Sequence, residues 1–175
     1  MIDLKKIIRE IPDFPKEGIS FKDITTLLKD KDAFGYVLEE TVNYFKSSNI
    51  TKVIGIEARG FITGGAIAKG LNAGFVPVRK KGKLPYKTFS ESYQLEYGED
   101  SVEMHIDAIT KNDIVLIHDD LLATGGTSLA VLNLIKRIGV SEIYFSFLCD
   151  LEFIQSREKS IIYKYKPFIL IKYSE

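Results

Sequence analysis

Residues 114–128 read Ile-Val-Leu-Ile-His-Asp-Asp-Leu-Leu-Ala-Thr-Gly-Gly-Thr-Ser, and this stretch decides the fold. It opens with a continuous apolar run, Ile114 to Ile117, of the kind that a parallel strand buried on both faces requires. Asp119 and Asp120 follow, so we expect both carboxylates to emerge at the carboxyl end of this strand. In open α/β sheets that edge is where ligands bind, which predicts a ligand site here.

The strand runs into a glycine-rich turn and then a helix. Apolar residues recur at helical spacing from Ser128, and Gly139 stands where a left-handed C-terminal cap is expected. Glycines let the backbone approach a ligand and turn successive N–H groups toward one point, and the neighbouring hydroxyls add donors. We therefore predict a phosphate-binding turn, called the phosphate loop below, made of Ala123, Thr124, Gly125, Gly126 and Thr127. The turn matches neither a Walker A loop nor Gly-x-Gly-x-x-Gly, and a monophosphate fits it better than a nucleoside triphosphate.

Two carboxylates just before a phosphate site suit the vicinal hydroxyls of a ribose 5-phosphate. Asp119 and Asp120 would contact these hydroxyls directly or through Mg²⁺, which prefers oxygen ligands. The simpler alternative is that the acids only cap a turn and the glycines only close it. The complete series of strand, acid pair, turn and helix favours the binding function, because every part agrees.

Composition limits the remaining possibilities. At 175 residues, 45% of them hydrophobic, the chain suits a single domain over residues 1–175. Its 24 basic and 24 acidic side chains cancel, so no overall field attracts nucleic acid or an anionic membrane. The N-terminal residues lack the apolar run of a signal peptide, and no membrane-spanning run occurs. With one cysteine, Cys149, expected in the core, we predict a cytoplasmic protein without nucleic-acid or membrane partners.

Two further segments carry cations at the ends of predicted strands. Arg59 lies between a strand at 53–56 and a helix at 61–69, where its guanidinium could bind pyrophosphate; alternatively it is a surface residue paired with Glu57. The segment 79–83, called the basic loop, places four cations within five residues of a neutral protein, which favours an anion site over a solvated charge run. Within it we select the pyrophosphate ligands Arg79, Lys80 and Lys83 ahead of Lys81.

Residues 84–100 contain Pro85, Gly98 and many polar side chains, which predicts a long loop or β-arm. Loops of this length in compact domains often act as lids, and we assign a flexible lid to residues 80–104. A lid would exclude water during the departure of a leaving group.

Together these motifs resemble the type I phosphoribosyltransferases, whose phosphoribosyl pyrophosphate (PRPP) signature is an apolar strand, two acids and a Thr-Gly-Gly-Thr turn. The segment 93–98, Tyr-Gln-Leu-Glu-Tyr-Gly, resembles the adenine-specific branch, and the resemblance implies that Glu96 acts as the acid or base on the purine. An exposed loop carboxylate is the alternative for Glu96. The implied fold is α/β, with a mostly parallel central sheet flanked by helices, a hood and a flexible β-arm loop.

The N-terminal stretch from Ile11 to Ile24 also resembles this branch, in which the matching segment builds part of the base pocket. Here Phe21 offers a flat face for a base. Residues 1–30 are accordingly predicted to form the base-pocket segment, with three candidate ligands: Ser20, Phe21 and Lys22. Lys22 stands where the family usually has Arg, and a Lys cannot reproduce the planar fork of donors.

The resemblance implies that adenine and PRPP react to give AMP and pyrophosphate, with Mg²⁺ bound mainly through PRPP, no metal site of the protein's own, and a homodimer. Two rival functions remain. A related enzyme could use xanthine, hypoxanthine or orotate, but segment 93–98 speaks against it. A non-catalytic PRPP sensor or repressor would need a DNA-binding extension or a basic face, and the sequence shows neither.

Overall fold

The computed structural model describes residues 2–94 and 98–174. The chain divides into two compact units, Met1–Glu40 and Thr41–Glu175. The single domain over residues 1–175 stays a prediction. Among the helices of the described residues, none has the length and apolarity needed to cross a membrane.

The first unit is a small hairpin with short helices. Its elements are α1 (Leu4–Ile7), β1 (Arg9–Ile11), β2 (Phe21–Asp23), α2 (Thr25–Leu28) and the start of α3 (Lys31–Phe45). The two strands are antiparallel and place Arg9 opposite Asp23. The Arg9 Nη2 donates to Asp23 Oδ2 at 2.6 Å, and this bond lowers the pKa of that carboxyl to about 2. Charged hydrogen bonds thus hold the strand that carries Phe21 and Lys22.

The second unit is built around one large sheet. Its elements are β3 (Lys52–Ile56), α4 (Gly60–Gly70), β4 (Gly74–Lys80), β5 (Thr88–Gln94), β6 (Glu99–His105), β7 (Ile114–Leu122), α5 (Gly126–Ile138), β8 (Glu142–Leu151), α6 (Arg157–Tyr163) and β9 (Phe168–Tyr173). Seven strands of the described residues form the sheet, in the order β5-β6-β4-β3-β7-β8-β9. Strands β4, β3, β7, β8 and β9 pair with one another in parallel. Strand β6 pairs antiparallel with both β4 and β5. The predicted mostly parallel α/β fold is confirmed.

The central strands and α5 supply the core. Strands β3 and β7 are buried along most of their length, as their apolar runs predict, and Cys149 in β8 is fully buried as expected. Helix α5 buries one face, including Val131 and Ile135, and leaves Lys136 and Arg137 exposed at its last turn. It ends at Gly139, whose φ of 91° confirms the predicted left-handed cap.

Two boundaries differ from the sequence-based expectations. Strand β7 does not end before the acids but continues through Leu122, because β8 goes on pairing with it as far as Asp150. Helix α5 begins at Gly126, two residues before Ser128. Of the two forms predicted for residues 84–100, a loop or a β-arm, the structure has the β-arm, since 88–94 and 99–105 pair as a hairpin.

Candidate active site

The acid pair lies within the last residues of β7, and its two side chains differ in their exposure. Asp120 is only 4% exposed, and its Oδ2 lies 2.9 Å from Nε of Arg59. Asp119 is partly exposed and lines two adjoining cavities with Thr127. The two carboxylates therefore have different surroundings although they are adjacent in sequence.

Burial changes the acidity of both side chains. It raises the pKa of Asp119, and the neighbouring charge of Asp120 raises it further. Burial also raises the pKa of Asp120, while the positive charge of Arg59 opposes that rise. A cation or a developing positive charge beside the pair would favour the fully ionised form.

The phosphate loop joins β7 to the N-terminus of α5. Gly125 has a φ of 80°, in the left-handed region that glycine adopts without steric cost, and α5 starts at the next residue. The loop residues, with Asp119, Leu121 and Ser128, line a cavity of about 80 Å³. A cavity of this size at a helix N-terminus suits one phosphate group, because backbone N–H groups and the helix dipole favour an anion there.

The segment after β3 carries Glu57 and Arg59. The peptide bond between Glu57 and Ala58 is cis, and α4 begins at Gly60 directly after Arg59. Arg59 forms an ion pair with Asp120 of β7. Glu57, which the alternative interpretation paired with Arg59, accepts hydrogen bonds from the basic loop.

Glu57 is the acceptor around which the basic loop is arranged. Its carboxylate accepts hydrogen bonds from the Arg79 guanidinium at 3.3 Å, the Lys83 ammonium at 2.6 Å and the Lys80 backbone N–H at 3.0 Å. Burial alone would raise its pKa, but the bonds from Lys83, Arg79 and Lys80 outweigh this and lower the pKa to about 2. The Lys80 ammonium pairs with Asp100 at 3.0 Å. All three pyrophosphate ligands predicted within the basic loop thus already have carboxylate partners.

One cavity connects these parts of the second unit. It has a volume of about 220 Å³ and is lined by residues from β3, β4, the β-arm, β7 and the phosphate loop: Ile56, Glu57, Val78, Arg79, Lys80, Tyr93, Asp100, Val102, Asp119 and Thr127. The predicted acid, phosphate and cation residues therefore meet at the carboxyl ends of the parallel strands.

Comparison with known proteins identifies this arrangement. A family model described as "Phosphoribosyl transferase domain" matches residues 22–171. The adenine phosphoribosyltransferase of Brachyspira hyodysenteriae is 50% identical over 172 residues, which cover 98% of this chain and 100% of the relative. The chain belongs to the adenine phosphoribosyltransferase family. The predicted family, fold class and transferase activity are confirmed.

Solved structures of adenine phosphoribosyltransferases share the whole fold. The crystal structure of the enzyme from Rhodothermus marinus is 49% identical, with a TM-score of 0.89, and the match covers 97% of this chain and 96% of that one. The Giardia lamblia enzyme, complexed with 9-deazaadenine, is 38% identical with a TM-score of 0.91, and the match covers 99% and 97% of the two chains.

The β-arm that carries the adenine-specific segment of this family is packed on α5. Arg137 Nη1 of α5 lies 3.0 Å from Glu91 Oε2 of β5, and the amide of Asn133 donates to the same carboxylate at 3.3 Å. Tyr93 and Asp100, at the ends of the arm strands, line the large cavity. The sequence predicted no role for these two side chains, although Tyr93 opens segment 93–98 and Asp100 follows it closely. Glu96 lies outside the described residues, and the mobility of the lid stays a prediction.

The candidate base ligands lie in the first unit. Phe21 packs edge-on against Phe14, with ring centroids 5.2 Å apart. The Lys22 side chain is 4% exposed, and its ammonium lies 2.8 Å from Glu10 Oε1 and donates to the Ser20 hydroxyl at 3.3 Å. Ser20 and Lys22 are thereby tied to one another within the hairpin. Their contact with a base stays a prediction.

His118, immediately before the acid pair, is a hydrogen-bonded core residue. Its Nε2 is 2.7 Å from the Thr63 hydroxyl of α4, and its Nδ1 is 2.6 Å from the Ser146 hydroxyl of β8. Burial lowers the pKa of His118 to about 4, so the ring is neutral near pH 7. It connects the helix that follows Arg59 to the strand that carries the acids.

Proposed function

We propose that the protein transfers the 5-phosphoribosyl group of PRPP to adenine, giving AMP and pyrophosphate in purine salvage. Family membership supports this reaction, since the relatives bear the name adenine phosphoribosyltransferase. The observation that carries the proposal is the cavity in which Asp119, Thr127 and the basic loop meet. It provides carboxylates for ribose hydroxyls, a turn for the 5-phosphate and cations for pyrophosphate at adjoining positions.

The phosphate loop is proposed to anchor the 5-phosphate. With this end fixed, only the anomeric carbon has to move between pyrophosphate and the base. Asp119 and Asp120 would bind the ribose hydroxyls and offset the positive charge that develops as the bond to pyrophosphate breaks. Their raised pKa fits this role, because a positive charge on the ligand favours the ionised acids.

Arg59 and the basic loop are proposed to bind the pyrophosphate. Arg79, Lys80 and Lys83 face Glu57 or Asp100 in the structure, so their cationic groups are already gathered at the cavity. Pyrophosphate oxygens would accept hydrogen bonds from the same groups, and a guanidinium suits a bidentate contact. Glu96 is proposed to accept or return the purine proton as a general acid–base catalyst.

The base is proposed to bind against the N-terminal segment. Phe21 would offer its face, and Ser20 and Lys22 would lie beside the base edge. The Giardia lamblia relative is complexed with 9-deazaadenine, an adenine analogue, which supports an adenine-sized base site in the family.

Mg²⁺ is proposed as the cofactor, held mainly by PRPP. The acid pair fits this ion, because carboxylate oxygens are the ligands that Mg²⁺ prefers and it keeps several waters or substrate oxygens as well. Within residues 2–94 and 98–174, no group of three His, Cys, Asp or Glu side chains could hold a metal by itself. When bound, the ion would mask charge on the pyrophosphate. The cytoplasm stays the predicted compartment.

A homodimer is also proposed, with a surface on α4 and β4. Ile62 is 48% exposed and Phe75 is 37% exposed, and the Phe75 ring packs edge-on against Phe61 at 5.8 Å. Exposed apolar side chains that cluster on one face of a protein are typical of protein–protein contacts.

The first test is a base panel. Purified protein with Mg²⁺ and PRPP is offered adenine, hypoxanthine, guanine, xanthine and orotate in parallel, and nucleoside monophosphate is followed by chromatography. AMP as the sole product supports the proposal. Product from another base would refute the assigned specificity, and tight PRPP binding without any product would support a sensor.

A further inference from the structure

The N-terminus of α6 is in direct contact with the phosphate loop. The Ser156 hydroxyl donates to the Thr124 carbonyl at 2.5 Å and accepts from the Lys159 backbone N–H at 2.9 Å. One hydroxyl thus caps α6 and binds the loop, 32 residues away in sequence. This contact connects the C-terminal region to the phosphate loop.

The Ser156 bond fixes the direction of the next peptide group. The peptide bond between Thr124 and Gly125 is trans, since the cis bonds of the described residues lie elsewhere. In a trans peptide the C=O and the following N–H point in opposite directions. With the Thr124 carbonyl held toward α6, the Gly125 N–H is turned away from α6. Thr124 and Gly125 both line the phosphate cavity, whereas no residue of α6 does.

The backbone of α6 also sets the position of Gly125. A Cβ added to Gly125 would lie 3.0 Å from both Cα and N of Lys159, closer than side chains normally approach. These are backbone atoms, so they cannot move aside as a flexible side-chain end would. The phosphate loop is therefore packed against the first turn of α6 and cannot move closer to it.

A buried ion pair keeps α6 in place. Lys159 Nζ lies 2.6 Å from Asp150 Oδ1 of β8, with Lys159 4% exposed and Asp150 fully buried. The Tyr163 hydroxyl donates to the other oxygen of the same carboxylate, and the Lys159 ammonium also donates to the Leu151 carbonyl. Removing one member of such a pair leaves a buried charge without a partner, so the pair strongly resists displacement of the helix.

We infer that Ser156 is a positioning residue for the phosphate loop, which aims the Gly125 N–H at the 5-phosphate of PRPP. This inference rests on the proposed function, because it takes the loop to be the 5-phosphate site. Ser156 would act through the loop and would not itself touch the substrate. Its loss should weaken the binding of the 5-phosphate in the ground state and the transition state alike, which raises KM without changing kcat.

The experiment compares Ser156→Ala with Ser156→Thr and Ser160→Ala. Thr keeps the hydroxyl, whereas Ser160 is an exposed serine of the same helix whose hydroxyl donates to the Ser156 carbonyl at 2.8 Å. PRPP affinity is measured by calorimetry with Mg²⁺ and without a base, and initial rates are measured with adenine. We expect Ser156→Ala to weaken PRPP binding and raise its KM by about tenfold, with kcat within about twofold of wild type.

Two controls separate positioning from general damage. Ser156→Thr and Ser160→Ala should keep the wild-type PRPP affinity, and Ser156→Ala should keep the affinity for pyrophosphate, which uses other residues. Unchanged PRPP affinity in Ser156→Ala, or an equal loss for pyrophosphate, would overturn the inference. A wild-type protein that binds PRPP but forms no AMP would refute the proposed reaction, and the binding comparison would still decide the role of Ser156.

Discussion

The contact between Gly125 and α6 can be tested with a pair of matched glycine substitutions. Gly125 and Gly82 have nearly the same φ, 80° and 79°, in the left-handed region that disfavours side chains. A Cβ at Gly82 meets nothing within 4 Å, whereas a Cβ at Gly125 meets the Lys159 backbone at 3.0 Å. The substitutions Gly82→Ala and Gly125→Ala therefore share the same backbone cost and differ in the steric contact.

The expected magnitudes follow from these two contributions. A left-handed non-glycine residue costs about 1–2 kcal/mol, and both variants bear this cost. Forcing a methyl group into a packed site costs about 1–3 kcal/mol more, and only Gly125→Ala bears this second cost. Since 1 kcal/mol shifts Tm by about 2–4 °C at this chain length, a contact cost of about 2 kcal/mol places Gly125→Ala about 4–8 °C below Gly82→Ala.

Calorimetric melting of wild type and both variants without ligand measures this difference. PRPP affinity gives an independent readout, because a loop displaced from Lys159 presents its N–H groups less accurately. We expect Gly125→Ala to weaken PRPP binding by tenfold or more. Equal Tm values for the two variants would show that α6 does not confine the loop at Gly125, and the packing argument would then fail.

Three further outcomes are expected. Burial lowers the pKa of His118 from 6.5 to about 4, so as pH falls the unfolded chain binds a proton before the folded chain does. Up to about 3 kcal/mol of the free energy of unfolding is therefore present above pH 6.5 and lost as pH falls toward 4. Urea unfolding across this range should show the loss in wild type and not in His118→Gln. Glu96→Gln should lower kcat by about 10²-fold or more at unchanged PRPP affinity, measured by initial rates and calorimetry; unchanged turnover would remove Glu96 from proton transfer. Ile62→Glu should shift the mass in light scattering from dimer to monomer, because it places a charge in an apolar contact, and a wild-type monomer would contradict the proposed surface.

The parts of the site that are local in sequence could be predicted. The apolar run of β7, the glycines of the phosphate loop and the cap at Gly139 are each determined by a few neighbouring residues, and the structure agrees with them to within two residues except at the end of β7. The β7 boundary was missed because strand length depends on pairing. Asp119 is paired with Phe147 of β8, and the residues of segment 114–128 do not indicate this pairing.

Charge pairing was harder to predict because it joins distant segments. The sequence shows four cations in the basic loop, but not that Glu57, 22 and 26 residues before Arg79 and Lys83, accepts hydrogen bonds from both. Pairing of Arg59 with its close neighbour Glu57 was the obvious alternative from the sequence. The parallel order of β4, β3 and β7 instead brings Asp120 to Arg59 and leaves Glu57 for the basic loop.

The acid pair shows how adjacent residues acquire different surroundings from the fold. Asp119 lines the cavity with Thr127, whereas Asp120 is buried and pairs with Arg59. Arg59 directly precedes α4, and His118 joins the same helix to β7 through the Thr63 hydroxyl. The acids proposed to bind ribose and the arginine proposed to bind pyrophosphate are thus held together by two contacts of β7, one with Arg59 and one with α4. An isolated strand and turn could bind a phosphate, but bringing the proposed ribose and pyrophosphate ligands together depends on these two contacts.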